Sequence, residues 1–123
     1  MKIHTNFISN SSSTSFLIIY KKPKIEECPH CKRKFEDFLD LVERRHIDNE
    51  DNEVLAKGYK DVEIYAFDNY FYDGNEEEFH KLNELIKNNK NQNLAFVEIS
   101  NHETELREKL FSNEVEVLWN DEI

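Results

Sequence analysis

The chain's two cysteines, Cys28 and Cys31, stand three positions apart in Cys28-Pro29-His30-Cys31, the tightest grouping of reactive side chains in the sequence. Two thiolates at C-x2-C spacing on one turn present both sulfurs to a single ion, and zinc suits such a set. The other ligands must come from isolated histidines: His46 is best placed by sequence, ahead of His4, His80 and His102, and two chains could complete one ion across a homodimer. The same pair could run dithiol redox chemistry, with neighbouring cations lowering the pKa of Cys28, or it could be two inert thiols in a turn. No Ser-His-Asp, H-E-x-x-H or H-x-E…C-x-x-C arrangement is present. Carboxylates are so abundant, with 26 Asp and Glu, that pairing Glu63, Asp68 or Glu98 as acid and base carries no information. No catalytic residue is assigned.

Lys32, Arg33, Lys34 and Phe35 after the cysteines resemble the residues that follow a zinc knuckle's turn, but the second ligand pair of such a module is missing. The CPHC element also resembles the active-site motif of thioredoxin-fold disulfide oxidoreductases. Three departures weaken that likeness: no aromatic residue immediately precedes Cys28, the connector from the first predicted strand is long, and no proline lies beyond Pro29 to serve as the cis-proline beside the dithiol.

A second grouping is aromatic. Tyr65 to Asp73 holds Tyr65, Phe67, Tyr70, Phe71 and Tyr72 with Asp68 and Asp73 among them. Such a stretch serves equally as a strand end packed on the core or as a protein-binding face, where aromatic anchors are buried and carboxylates steer a basic partner. Asp68, Tyr70, Phe71, Tyr72 and Asp73 are the candidate partner-binding residues.

The net charge of −10 over 123 residues is unevenly spread. Residues 1–34 carry seven basic and two acidic groups, a balance of +5, and residues 35–123 carry −15. An acidic body repels nucleic-acid phosphates and anionic membranes and attracts basic protein surfaces. Only the basic segment 21–34 could touch a phosphate, and then weakly. Mean hydropathy is −0.79, low enough to raise the question of disorder, which nine Phe, five Tyr and one Trp answer in favour of a folded core. The longest apolar run, Phe16 to Tyr20, is too short for a membrane span or a secretory core, and two cysteines make no secreted disulfide scaffold. A reducing, cytoplasmic compartment is expected.

These groups must be positioned by one small domain over 16–123, preceded by a polar leader or pinned loop over 1–15. Phe16 to Tyr20 reads as a strand covered on both faces. Phe35, Phe38, Leu39 and Val42 predict a helix over about 33–46, and the Asn/Asp-rich stretch from Asp48 to Glu53 an exposed loop. Val62, Ile64 and Ala66 alternate with polar neighbours, as in a half-buried strand. Asn75 is a plausible cap for a helix to about Asn89 with Phe79, Leu82 and Ile86 on its buried stripe. Leu94 to Ser100 is a strand, Asn101 can cap a short helix through Leu106 and Leu110, and Glu114 to Trp119 is a last strand with Val115, Val117 and Trp119 on one side. The order β-α-β-α-β-α-β predicts an α/β or α+β domain with a four-stranded mixed sheet. With Gly58 and Gly74 the only glycines, no phosphate-cradling loop exists, which disfavours dinucleotide and P-loop functions.

The run Phe7-Ile8-Ser9-Asn10-Ser11-Ser12-Ser13-Thr14-Ser15-Phe16 resembles an opening, F-[VI]-S-N-S-S-S-S-S-F, of small proteins from bacteriophages, prophages and their hosts. The likeness covers about the first 20 residues, with Ile8 and Thr14 as departures, and brings no activity with it. It implies a mobile-element origin, in which small acidic proteins act by binding host or defence proteins. Ser11, Ser12 and Ser13 are also candidate sites for a charge-adding modification. The expectation is a non-enzymatic interaction protein. A zinc module, a dithiol oxidoreductase and a virion or assembly component are the alternatives.

Overall fold

Phe16-Leu17-Ile18-Ile19-Tyr20 has the length of a strand and no polar face to show to water, so both its faces need cover. In the computed structural model, which describes residues 13–21, 30 and 37–121, it forms the larger part of β1 (Ser13–Tyr20). Then follow α1 (Phe38–His46), β2 (Glu53–Lys57), α2 (Tyr59–Ala66), a π turn (Phe67–Phe71), α3 (Glu76–Asn88), β3 (Leu94–Ser100), α4 (Thr104–Leu110) and β4 (Val115–Asn120). The four strands form one sheet in the order β2-β3-β1-β4. Phe16, Ile18 and Tyr20 point to one face, against Leu39 and Val42 of α1 and Leu106 and Leu110 of α4. Leu17 and Ile19 point to the other, against Val62 and Ala66 of α2, Tyr70, and Leu82 and Ile86 of α3. The fold is α+β in three layers, with β1 and β3 at the centre and every residue of β3 buried.

The sheet is wholly antiparallel, not mixed. Each single-helix crossover skips a strand: α1 carries the chain from β1 past β3 to β2, and α4 carries it from β3 past β1 to β4. The strands so joined run parallel without being neighbours, the split βαβ arrangement of ferredoxin-like folds. Alternating strands and helices therefore produced no parallel pair.

Four local expectations are corrected. The segment read as a strand around Val62, Ile64 and Ala66 is helix α2: Val62 and Ala66, one turn apart, are buried, whereas Ile64 is 58% exposed. The second strand is instead β2, beginning at Glu53, where the Asp48 to Glu53 loop was expected to end. In β4 a bulge opposite Leu17 and Ile18 adds one residue, and that slip turns Trp119 away from Val115 and Val117 to the α2–α3 face. Asn101 does not cap α4, whose N-cap is Glu103; its Oδ1 accepts from the Thr14 hydroxyl at 2.9 Å and from Arg107.

Helix α1 starts at Phe38 behind a capping box, where Asp37 Oδ1 accepts from the Asp40 amide at 2.8 Å and Asp40 Oδ2 from the Asp37 amide at 3.1 Å. The earlier part of its expected span, 33–36, lies outside the described residues. Arg45 near its end pairs with Glu103 at 3.3 Å and with Glu105, tying α1 to the start of α4. Among the described residues no helix is long and apolar enough to cross a membrane.

Candidate interaction surface

β2 and β3 are antiparallel neighbours, a pair that a two-residue hairpin can join. The chain instead spends residues 58–93 between them, on α2, the π turn and α3. Both glycines serve this insertion. Gly58, at φ 91° and ψ 158°, turns β2 into α2 in a backbone region essentially closed to other residues, and Gly74, at φ 88°, turns the chain from the π turn towards α3. The inner side of the insertion covers the sheet. Its buried residues Val62, Ala66 and Tyr70 recur every four positions, which over-rotates a helix of about 3.6 residues per turn. The wide turn at Phe67–Phe71, closed by the Tyr72 amide on the Phe67 carbonyl at 2.9 Å, takes up that drift and seats Tyr70 edge-on against Trp119, ring centres 5.5 Å apart.

The outer side is apolar where covering the sheet does not require it. Ile64, Phe67 and Tyr72 are 58%, 43% and 80% exposed, three of the five large hydrophobic side chains exposed among the described residues. Phe67 stacks on Phe71 at 5.0 Å, and Phe79 of α3 meets both edge-on at 5.9 and 5.2 Å. Asp68 of the π turn, Asp73 just after it, and Glu76 and Glu77 in the first turn of α3 are exposed. Glu78 is engaged instead: it accepts from Trp119 Nε1 at 2.7 Å and lies 3.7 Å from Lys81 Nζ.

Of the expected partner-binding residues, Asp68, Tyr72 and Asp73 are exposed on this corner, Phe71 is half-buried in its ring cluster, and Tyr70 lies in the core. Sequence reasoning missed Ile64 and Phe79 as surface features because Ile64 was assigned to a strand face with Val62 and Ala66 and Phe79 to the buried stripe of α3. The signal was present in Tyr59, Val62 and Ala66, whose three- and four-residue spacing is helical and puts Ile64 on the opposite side.

The other candidates fall elsewhere. Cys28, Cys31, Ser11 and Ser12 lie outside the described residues. His46, the expected third zinc ligand, has Nδ1 2.8 Å from the Asn52 carbonyl oxygen. Among the described residues no group of three or more His, Cys, Asp or Glu is arranged to hold a metal. Ser13 is not in a loop: Ser13, Thr14 and Ser15 open β1 and are buried, with Ser13 opposite Ser100 and Ser15 opposite Glu98 on β3. Arg107 fastens this start of β1. It lies over the Phe16 ring at 5.9 Å and donates to the Ser100 carbonyl at 3.3 Å and to Thr14 Oγ1 at 3.2 Å.

At the same end of the sheet, Tyr65 and Tyr70 are held well above the ordinary tyrosine range. Burial is the main cause for both. The carboxylates of Glu98, Asp121 and Glu53 add to it at Tyr65; at Tyr70 the next cause is Tyr65, followed by Asp121, Glu78 and Glu98. These phenols stay neutral and make no candidate base near neutral pH. Comparison of the chain with protein-family models, curated proteins and solved structures finds no match.

Proposed function

We propose that this chain is a non-enzymatic acidic interaction protein of phage or mobile-element origin that works in the bacterial cytoplasm by binding and modulating a host or defence protein. The observation that carries the reading is the insertion between β2 and β3: far longer than a hairpin requires, it displays Ile64, Phe67 and Tyr72 to solvent in a stretch with eight carboxylates against three lysines over 59–88. A contiguous exposed apolar patch rimmed by polar residues marks a protein-binding site, whereas single exposed side chains do not. The carboxylates steer a basic partner and the aromatic side chains anchor it. The mobile-element origin rests on the resemblance at residues 7–16 alone.

Affinity capture from infected or lysogenic cells tests this reading, with the wild-type chain and the Asp68→Lys/Asp73→Lys variant as parallel baits and quantitative mass spectrometry of what each retains. The expected result is one protein, basic on the face it presents, enriched on wild type and depleted on the variant. Equal recovery of every enriched protein on both baits would contradict the proposal.

A further inference from the structure

The outer surface between α2 and α3 is grooved. The groove holds about 370 Å³ and is lined by Glu63, Ile64, Phe67, Phe79, Asn83 and Lys87. Its apolar stretch is Ile64 and Phe67 on one wall, one helical turn apart, and Phe79 on the other. Its π-turn end is acidic, whereas its lining holds one charge of each sign, Glu63 and Lys87. At the π-turn end stand Asp68, Asp73, Glu76 and Glu77, exposed and outside every ion pair among the described residues. At the far end is Lys87, with Lys60 one turn before Ile64 on α2. Glu63 beside it accepts from the Tyr59 hydroxyl at 3.2 Å.

We infer that this groove receives one short amphipathic helix of the protein partner, its apolar stripe seated on Ile64, Phe67 and Phe79 and its lysine- or arginine-bearing end over Asp68, Asp73, Glu76 and Glu77. The inference rests on the proposed interaction function and specifies the partner's form. Two helices with an apolar furrow between them present what an amphipathic helix needs, a surface matching apolar residues at i, i+3 and i+4. The acidic π-turn end selects the occupant. An acidic helix is repelled at the π-turn end, and a second copy of this chain brings a surface of the same net sign, with eight carboxylates against three lysines over 59–88. A segment basic at one end meets opposite charge there.

The test uses the full chain with isotope-labelled amides and isoleucine methyls. It is titrated with a synthetic leucine–lysine helix whose lysines are gathered at one end, and with a peptide of the same composition scrambled to abolish the stripe. Expected are shifts at the Ile64 methyl and at the Phe67, Phe79 and Asn83 amides with the striped peptide only, and affinity weakened about tenfold by Ile64→Asp. Ile64 is exposed enough for that variant to fold. Shifts confined to Asp68, Asp73, Glu76 and Glu77, with equal affinity for both peptides, would overturn the groove inference and leave the interaction function standing. No binding of either peptide overturns the groove inference as well, and the bait comparison above then judges the function separately. Groove shifts that grow with protein concentration without peptide would identify a second copy as the occupant and overturn it too.

Discussion

Replacing Val62 and Ile64 separately by alanine discriminates between the two ways of reading the segment that bears the proposed surface. On a strand the two side chains share one face and cost alike; on α2 Val62 is fully buried and Ile64 is 58% exposed. Val62→Ala removes two buried methyl groups, about 1.6 kcal/mol of transfer free energy at about 0.8 each. The space left in the core cluster that also holds Leu82 and Phe96 adds to this, and the better helix propensity of alanine returns about 0.5 kcal/mol. The expected net loss is about 2 kcal/mol, a fall in Tm of about 8 °C for a domain of this size. Ile64→Ala gives up side-chain contacts that are already mostly wet, and the propensity gain offsets part of that loss, leaving about 0.5 kcal/mol or less. Urea unfolding with an unchanged m-value measures both. Equal losses, or a larger loss at Ile64, would refute the helix and with it the exposure on which the proposed surface depends.

Thr14→Val keeps the side-chain shape but removes the hydroxyl bonded to Asn101 and Arg107; a loss of about 1 kcal/mol in urea is expected, and no loss would show that the network does not hold β1. Tyr65 and Tyr70 have folded-state pKa values above the ordinary 10.0, so they favour folding below pH 10 and that contribution is lost as pH rises beyond it, where the unfolded chain ionises first. Tyr65→Phe/Tyr70→Phe is expected to flatten the alkaline fall in stability, and an unchanged slope would assign that fall to other groups. Protein purified without added metal is expected to hold less than about half an equivalent of zinc by elemental analysis; about one equivalent, lost in Cys28→Ser, would establish the metal module instead.

The central strands were legible because their signals were local and strong. Phe16 to Tyr20 is apolar on both faces, as a doubly covered strand requires, and Leu94 to Ser100 carries Ala95, Val97 and Ile99 along one face at the strand period. Helix α3 was equally plain, since Phe79, Leu82 and Ile86 recur at helical spacing behind three glutamates. The segment from Val54 to Ala66 was misread because three apolar residues at alternate positions satisfy the strand period while Tyr59, Val62 and Ala66 satisfy the helical one, and five residues of β2 were too few to claim the strand first. Antiparallel pairing was hidden for a different reason: a crossover that skips a strand looks in sequence like one that does not. The acidic and aromatic character of the corner could be read directly from Asp68 to Asp73, but not which rings face outwards. That depends on the π turn, which buries Tyr70 and leaves Phe67 and Tyr72 at the surface. The serine run misled at its end, where Ser13, Thr14 and Ser15 are strand residues, Ser13 and Ser15 opposite Ser100 and Glu98 and Thr14 bonded to Asn101.

The most direct test of the interaction surface is the affinity of the captured partner for the wild-type chain and for Asp68→Lys/Asp73→Lys as ionic strength rises. Exposed charge pairs contribute about 0.2–1 kcal/mol each, so reversing two carboxylates is expected to weaken binding about tenfold at low salt, and wild-type affinity is expected to fall as salt rises until the two curves approach each other. Affinity indifferent to salt, or untouched by the double reversal, would contradict it.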